Sequence, residues 1–340
     1  MNYKLLGKSG LRVSELCLGT MTFGEDWGWG ANQDESRAIF DAFAAAGGNF
    51  IDTADGYTNG TSEKFVGEFV GSNRERFVIA TKYSFNTHPG DPNGGGNHRK
   101  HMTEALHGSL RRLGTDYVDL YWMHAWDELT PGEEVMRALD DLVRAGKVLY
   151  VGVSDAPAWW IARANTLAEL RGWTPFVGLQ IEYNLIERTP ERELLPMANA
   201  LGLMVTPWSP LASGWLTGKY AGKAKEERRL DKTPQFARAT ERNIAIAKKV
   251  VKVAKAAGRT PAQVALNWLR ARRGMIPILG ARTLRQLEDN LSCVKWSLNA
   301  KQLAQLDEIS RIEPGFPRDF LDRPFVRDFL HGGLFARIER

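Results

Sequence analysis

The sequence predicts an α/β fold, a closed (β/α)8 barrel of the TIM type, with a β-hairpin at its N-terminus and a C-terminal tail packed near the barrel mouth. Three observations predict it. Eight short runs rich in β-branched and aromatic residues alternate with segments of helical periodicity, the pattern of parallel strands returned by helices. Successive runs end on polar side chains, as strands do at the C-terminal face of a parallel barrel. The Gly-x-Gly-x-x-Gly turn that an open, doubly wound sheet would display is missing where it would be needed. At 340 residues the chain suits one such barrel, and we expect 1–340 to form a single domain.

Residues 3–13 read as the hairpin, turning at Lys8-Ser9-Gly10. Leu16-Cys17-Leu18 is the first barrel strand, closed by Gly19-Thr20-Met21. The following loop pairs Trp27 and Trp29 with glycines. It is either a tryptophan-anchored surface loop or the lining of an apolar substrate mouth. Helical periodicity over 34–46 leads into the strand Phe50-Ile51-Asp52, and over 62–70 into the strand 77–82. The loop 83–97 holds Gly94-Gly95-Gly96. No strand abuts these glycines and no helix opens on them, so they read as a flexible lid or rim and not as a phosphate cradle.

A helix over 99–113 precedes the strand 117–124, and one over 131–145 starts on a proline, which a first turn tolerates. The strand 148–153 ends on Ser154-Asp155; a helix over 157–170 and the strand 177–181, carrying Gln180, follow. A helix over 191–201 leads to the strand 203–206, which ends on Pro207-Trp208-Ser209-Pro210. Helices over 238–257 and 261–272 precede the last strand, 275–279, with Gly280-Ala281-Arg282 and a helix over 284–294 behind it. Beyond Lys301 a short amphipathic segment gives way to Phe316, Phe320, Phe325, Phe329 and Phe335, expected to pack on the barrel.

Composition narrows the functional classes. The formal net charge is +5, but the 45 basic and 40 acidic side chains are interspersed, and the densest basic stretch, 219–232, also contains acids. That argues against a nucleic-acid footprint. No apolar run is long enough to cross a bilayer, and no signal segment follows Met1. Two cysteines, Cys17 and Cys293, make neither a disulfide framework nor a metal site, so a reducing cytoplasm is expected. His98 and His101 lack the partners a metal-dependent hydrolase would need and read as solvent-facing.

The chemistry gathers at strand ends. Asp52 ends one strand and Tyr57 lies on the loop after it; the next two strands end on Lys82 and His124. Asp52 could hold the Lys82 ammonium, Lys82 could polarise and acidify the phenol of Tyr57, and His124 could orient a carbonyl oxygen. Taken singly these read as a cap, a wedge, a solvated cation and a core histidine. Together they form a candidate proton-transfer site.

In order and context, Asp52, Tyr57, Lys82 and His124 resemble the catalytic tetrad of the aldo-keto reductases, as a bacterial-type member, and the likeness runs over nearly the whole chain. Through Trp208 to Ala212 the chain is also similar to the β subunits of voltage-gated potassium channels, which implies a nucleotide-binding regulatory protein with little turnover as the alternative. Those subunits typically carry Asn at the position of His124, so the histidine favours an enzyme.

The resemblance implies an NADP(H)-dependent reductase of aldehydes and ketones acting on a small-molecule substrate, without nucleic acid, membrane or metal, and an oligomer is possible. It implies that Ser154, Asp155 and Gln180 hold the nicotinamide carboxamide and that Trp208 stacks on the ring, with Gly19, Thr20, Met21 and Asp52 nearby. Asp155 stands where the family more often has Asn. Ser209, Pro210, Leu211 and Ser213, followed by Lys219, correspond to the pyrophosphate loop; Gly280, Arg282, Gln286 and Asn290 correspond to the adenosine end. Arg282 would meet a 2′-phosphate as a charged fork, which favours NADP over NAD. Trp27, Trp29 and Trp126 are the candidate substrate contacts.

Overall fold

A computed structural model describes residues 1–220 and 239–339. Strands β1 (Tyr3–Leu5) and β2 (Arg12–Ser14) form the antiparallel hairpin. The barrel strands are β3 (Cys17–Gly19), β4 (Phe50–Asp52), β5 (Val78–Tyr83), β6 (Val118–Met123), β7 (Val148–Ser154), β8 (Phe176–Glu182), β9 (Met204–Trp208) and β10 (Ile278–Leu279). They lie side by side in the order β10-β3-β4-β5-β6-β7-β8-β9, every pair parallel. A bridge between Val205 and Met275 joins the two ends and closes the ring. Strands β5 and β6 are buried along their whole length, as continuously apolar strands covered on both faces should be.

The helices between strands are α1 (Gln33–Ala45), α2 (Thr61–Val70), α3 (Arg99–Leu113), α4 (Gly132–Arg144), α5 (Ala158–Arg171), α6 (Leu194–Leu201), α7 (Glu241–Ala257) and α8 (Pro261–Arg270). After β10 come α9 (Leu284–Leu291), α10 (Ala300–Ile309), α11 (Arg318–Leu321) and α12 (Pro324–His331). Their starts are encoded locally. Asn32, Thr240, Thr260, Thr283 and Asn299 each accept a backbone N–H of the first turn, and Asn299 with Gln302 forms a reciprocal capping box. In α1 the buried Ile39, Phe40 and Phe43 recur at helical spacing and bury one face against the barrel.

The barrel interior is a core of its own. Cys17, Phe50, Val78, Ala80, Leu120, Trp122 and Ile278 fill it, and Leu6 and Val13 of the hairpin belong to the same cluster, so the hairpin plugs the floor. The Trp122 indole fits because its neighbours are glycines: a Cβ on Gly152 would lie 2.3 Å from the ring, and one on Gly178 2.9 Å. With the hairpin packed against the floor, the C-terminal mouth is the end open to chemistry among the described residues.

Several boundaries differ from the reading of the sequence. The last strand is shorter than 275–279, because Pro277 has no N–H to donate, and only Ile278 and Leu279 pair with β3. The segment 191–201 splits into a 3-10 turn (Thr189–Glu191) and α6, and 284–294 into α9 and a 3-10 turn (Ser292–Lys295). The start of the helix read from 238, and the basic stretch beyond Tyr220, fall outside the described residues. His101 is buried in the first turn of α3 beside Tyr83, and His98 caps that helix through Nδ1; neither is the solvent-facing histidine expected. The glycine loop is fastened instead of loose: Thr87 N–H donates to Gly94 and Gly96 N–H to Ser84.

The aromatic tail does not bury itself on the barrel. Phe316 and Phe329 are each 86% exposed. The rings of Phe316, Phe320, Phe325 and Phe329 meet one another in series, edge to face or tilted, and only Val326 in α12 is buried.

Candidate active site

Strands β4, β5 and β6 are neighbours in register, Asp52 opposite Ala80 and Lys82 opposite Trp122, so their C-terminal ends deliver side chains to one place. Lys82 is fully buried, and its ammonium donates to Asp52 Oδ2 (2.5 Å), to the Thr53 carbonyl (2.8 Å) and to Tyr57 Oη (3.0 Å). The phenol therefore accepts from lysine and keeps its own proton for another acceptor. Tyr57 and His124 stand edge to face with ring centroids 5.8 Å apart. All four residues singled out in the sequence meet here.

The electrostatics of three groups follow from this arrangement. Burial alone would lower the pKa of Lys82, but the Asp52 carboxylate and the Tyr57 oxygen together outweigh that desolvation and hold the ammonium above its ordinary range. Tyr57 goes the other way from expectation. Desolvation raises its pKa more than Lys82 lowers it, because Asp52 already neutralises much of the lysine's charge. The resting phenol is a protonated acid, not an acidified one. His124 is pushed well below its ordinary range by burial and by Lys82, so its imidazole is neutral, and its buried Nδ1 has no partner among the described residues.

The second oxygen of Asp52 accepts the Gln180 amide at 3.0 Å. Gln180, expected to hold the carboxamide, gives one amide hydrogen to Asp52 and keeps its carbonyl oxygen for that task. Ser154 Oγ is buried without a partner of hydrogen-bond geometry, though close enough to the Asp155 carboxyl to be felt by it. Asp155 Oδ1 accepts the Trp208 indole N–H at 3.2 Å. An orphaned hydroxyl, a free amide oxygen and a flat indole at three adjacent strand ends fit a planar amide-bearing ring.

Other predicted contacts are placed as follows. Thr20 is buried and spends its hydroxyl on the Asp52 carbonyl and Ser62, while Gly19 packs at Ile278 and Met21 is half-buried. These three shape the wall more than they offer donors. Ser209 Oγ caps the Ser213 N–H, and both residues have positive φ, which folds Ser209-Pro210-Leu211 and Ser213 into a tight turn before the exposed Lys219. Gln286 Oε1 accepts the Arg282 N–H and Asn290 reaches the Gly280 carbonyl, so both brace the loop after β10. The Arg282 guanidinium, just before α9, has no ion-pair partner among the described residues.

Trp27 stands edge-on to Tyr57 at 6.5 Å and touches Trp29 at 5.8 Å, so the tryptophan loop lies at the mouth. Trp126 meets Trp159 edge-on and, with Asp155, Pro157, Glu182 and Trp208, lines an open cleft of about 460 Å³. Sequence reasoning missed Phe85, whose exposed ring lies 4.5 Å from His124. It also missed Ser84 and Asn97. Ser84 Oγ accepts the His124 N–H and bonds Asn97, whose amide reaches the Ala125 carbonyl. Ser84, directly after the Lys82 strand, was the available signal; Asn97 lies 13 residues further on, at the end of the loop.

A barrel whose mouth holds a buried lysine between a carboxylate and a phenol, beside a neutral histidine, defines a proton-transfer site for a polar double bond. Residues 15–311 match the model of the aldo/keto reductase family. Similar proteins include the norsolorinic acid reductase stcV of Emericella nidulans, 38% identical over 92% of this chain and 82% of that one. The aryl-alcohol dehydrogenase [NADP(+)] of Phanerodontia chrysosporium is 38% identical over 91% of this chain and 85% of its own. A further similar protein, the aldo-keto reductase ausK of Emericella nidulans, is 34% identical over 93% and 83% respectively. The chain belongs to the aldo/keto reductase family. These relatives are fungal enzymes; they do not support the bacterial-type reading or the likeness to potassium channel β subunits.

Proposed function

We propose that the protein is an NADPH-dependent oxidoreductase that reduces aldehydes or ketones to alcohols in the cytoplasm, with residues 1–340 acting as one barrel domain. The observation that carries this reading is the buried Lys82 ammonium held between Asp52 and Tyr57 at the mouth. Tyr57 gives its proton to the carbonyl oxygen as charge develops there. Lys82, already donating to Oη, then stabilises the phenolate left behind, and Asp52 keeps the lysine charged and in place. The neutral His124 orients the same oxygen.

A reduced nicotinamide, when bound, supplies the hydride, which no side chain can. Ser154 Oγ, Asp155 and the Gln180 carbonyl oxygen would hold its carboxamide, and Trp208 would carry the ring. Arg282 at the start of α9 would meet the 2′-phosphate, which favours NADP(H). The aryl-alcohol dehydrogenase among the relatives, with Trp27, Trp126 and Phe85 at the mouth, supports a carbonyl substrate with an aromatic body.

A tryptophan-emission titration with NADPH and NADH tests the reading, followed by turnover of benzaldehyde by the unaltered protein and by Tyr57→Phe. Trp208 quenching is expected to be tighter with NADPH, and Tyr57→Phe to keep the quenching while losing about 10²–10⁴-fold in turnover. Unchanged turnover in Tyr57→Phe would sink the assignment.

A further inference from the structure

We propose that the Asp155 carboxylate biases the nucleotide site toward the oxidised cofactor, by placing a fixed negative charge against the ring that becomes cationic when hydride leaves it; this rests on the nicotinamide reading above. Asp155 follows the orphaned Ser154 hydroxyl at the end of β7 and holds the Trp208 indole, the two groups between which the ring is assigned. It is pinned on three sides. Its N–H donates to the Gln180 carbonyl at 3.3 Å, its own carbonyl accepts the Trp126 N–H at 3.3 Å, and its side chain accepts from Trp208 at 3.2 Å. A backbone φ of +45° keeps it in the left-handed region, which a residue with a β-carbon holds only where its surroundings fix it.

The hydrogen bond to Trp208 does not need an acid. Asparagine would offer the same acceptor in the same shape; the carboxylate differs by its charge. That charge reaches the reacting centre, since Asp155 contributes to raising Tyr57 and is itself stabilised by Lys82. Desolvation raises the Asp155 carboxyl although the residue borders solvent, and the Trp208 N–H and Lys82 oppose that rise.

In the reduction, the hydride carries two electrons from the ring to the carbonyl carbon, and Tyr57 supplies the proton to the oxygen. The ring thus passes from neutral to a single positive charge. A negative charge fixed beside it stabilises the product form and is nearly indifferent to the reactant form. A bound ring would also keep water from Asp155, which would strengthen the effect.

Separate tryptophan-emission titrations with NADP+ and NADPH, on the unaltered protein, Asp155→Asn and Asp155→Ser, test this. The dissociation constant for NADP+ is expected to rise about tenfold relative to that for NADPH in both variants, as loss of one near-surface charge pair predicts. The 2′-phosphate is common to both nucleotides and cancels in the ratio. A ratio unchanged from the unaltered protein, in a variant whose thermal melt is also unchanged, overturns the inference and leaves the nucleotide reading standing. Binding of neither nucleotide by the unaltered protein overturns both.

Discussion

Removing one member of the Lys82–Asp52 pair should cost far more than removing both. The ammonium is fully buried and the carboxylate nearly so, 2.5 Å apart. Asp52→Asn leaves Lys82 with neutral acceptors alone and no countercharge. Breaking a buried pair from one side typically costs about 3–5 kcal/mol, whereas replacing both members with neutral groups is often near neutral. For a chain of this size each kcal/mol moves the melting temperature by about 1.4 °C, so each single variant should melt about 4–7 °C lower.

The assay is a double-mutant cycle of Asp52→Asn, Lys82→Met and the double variant, by thermal and urea unfolding. The double variant should recover at least about 2 kcal/mol relative to the sum of the singles. Losses that add within about 0.5 kcal/mol would refute the reasoning, because they would mean that the two charges do not depend on each other. The pH dependence has a definite sign. The folded-state pKa of Lys82 is raised, so its contribution is fully present below the unfolded lysine value and is lost only as pH rises through the raised one.

Three further outcomes are expected. Asp55 is buried with neither carboxyl oxygen in good hydrogen-bond geometry among the described residues, and its pKa is pushed up to about 7 by desolvation and by Glu63, with Arg112, the nearby Gly56 N–H and Lys82 opposing. The unfolded state then gives up this proton first, so stability falls as pH rises from about 4 to 7; Asp55→Asn should flatten that slope by about 2–4 kcal/mol in melts from pH 4 to 8, and an unchanged slope would count against it. Gly152→Ala should cost about 1–3 kcal/mol by pressing a methyl group into the Trp122 ring, measured as a lower urea midpoint. Ser84→Ala unties the backbone of His124 and Ala125 and should lower turnover together with about 1–2 kcal/mol of stability; full activity would show that the histidine is held by other means.

Local signals were well written in the chain. Apolar runs such as Val78 to Thr81 and caps such as Asn32 and Thr283 act within a few residues, and the four groups at the strand ends were legible because a parallel barrel brings successive strand ends together. What was not legible depends on distance or on burial. The amide of Gln180 is 128 residues from the carboxylate it binds, and nothing in either stretch points to the other. Trp122 needs Gly152 and Gly178 to be small, a constraint that no periodicity shows. The direction of the Tyr57 shift was misjudged because counting neighbouring charges leaves out desolvation, which here is the largest cause. The aromatic tail was expected to pack on the barrel because of its phenylalanines, yet those rings meet one another and stay largely exposed.

The bond between Gln180 and Asp52 joins β8 to β4, which lie four strands apart in a ring of eight and so face each other across it. It acts as a tie-rod along the diameter of the mouth. The barrel cannot flatten toward an ellipse along that axis without stretching the tie, and any ligand that tugs on the free oxygen of Gln180 tugs on the carboxylate that steadies the lysine. A single side chain thus spans from one wall of the mouth to the opposite one.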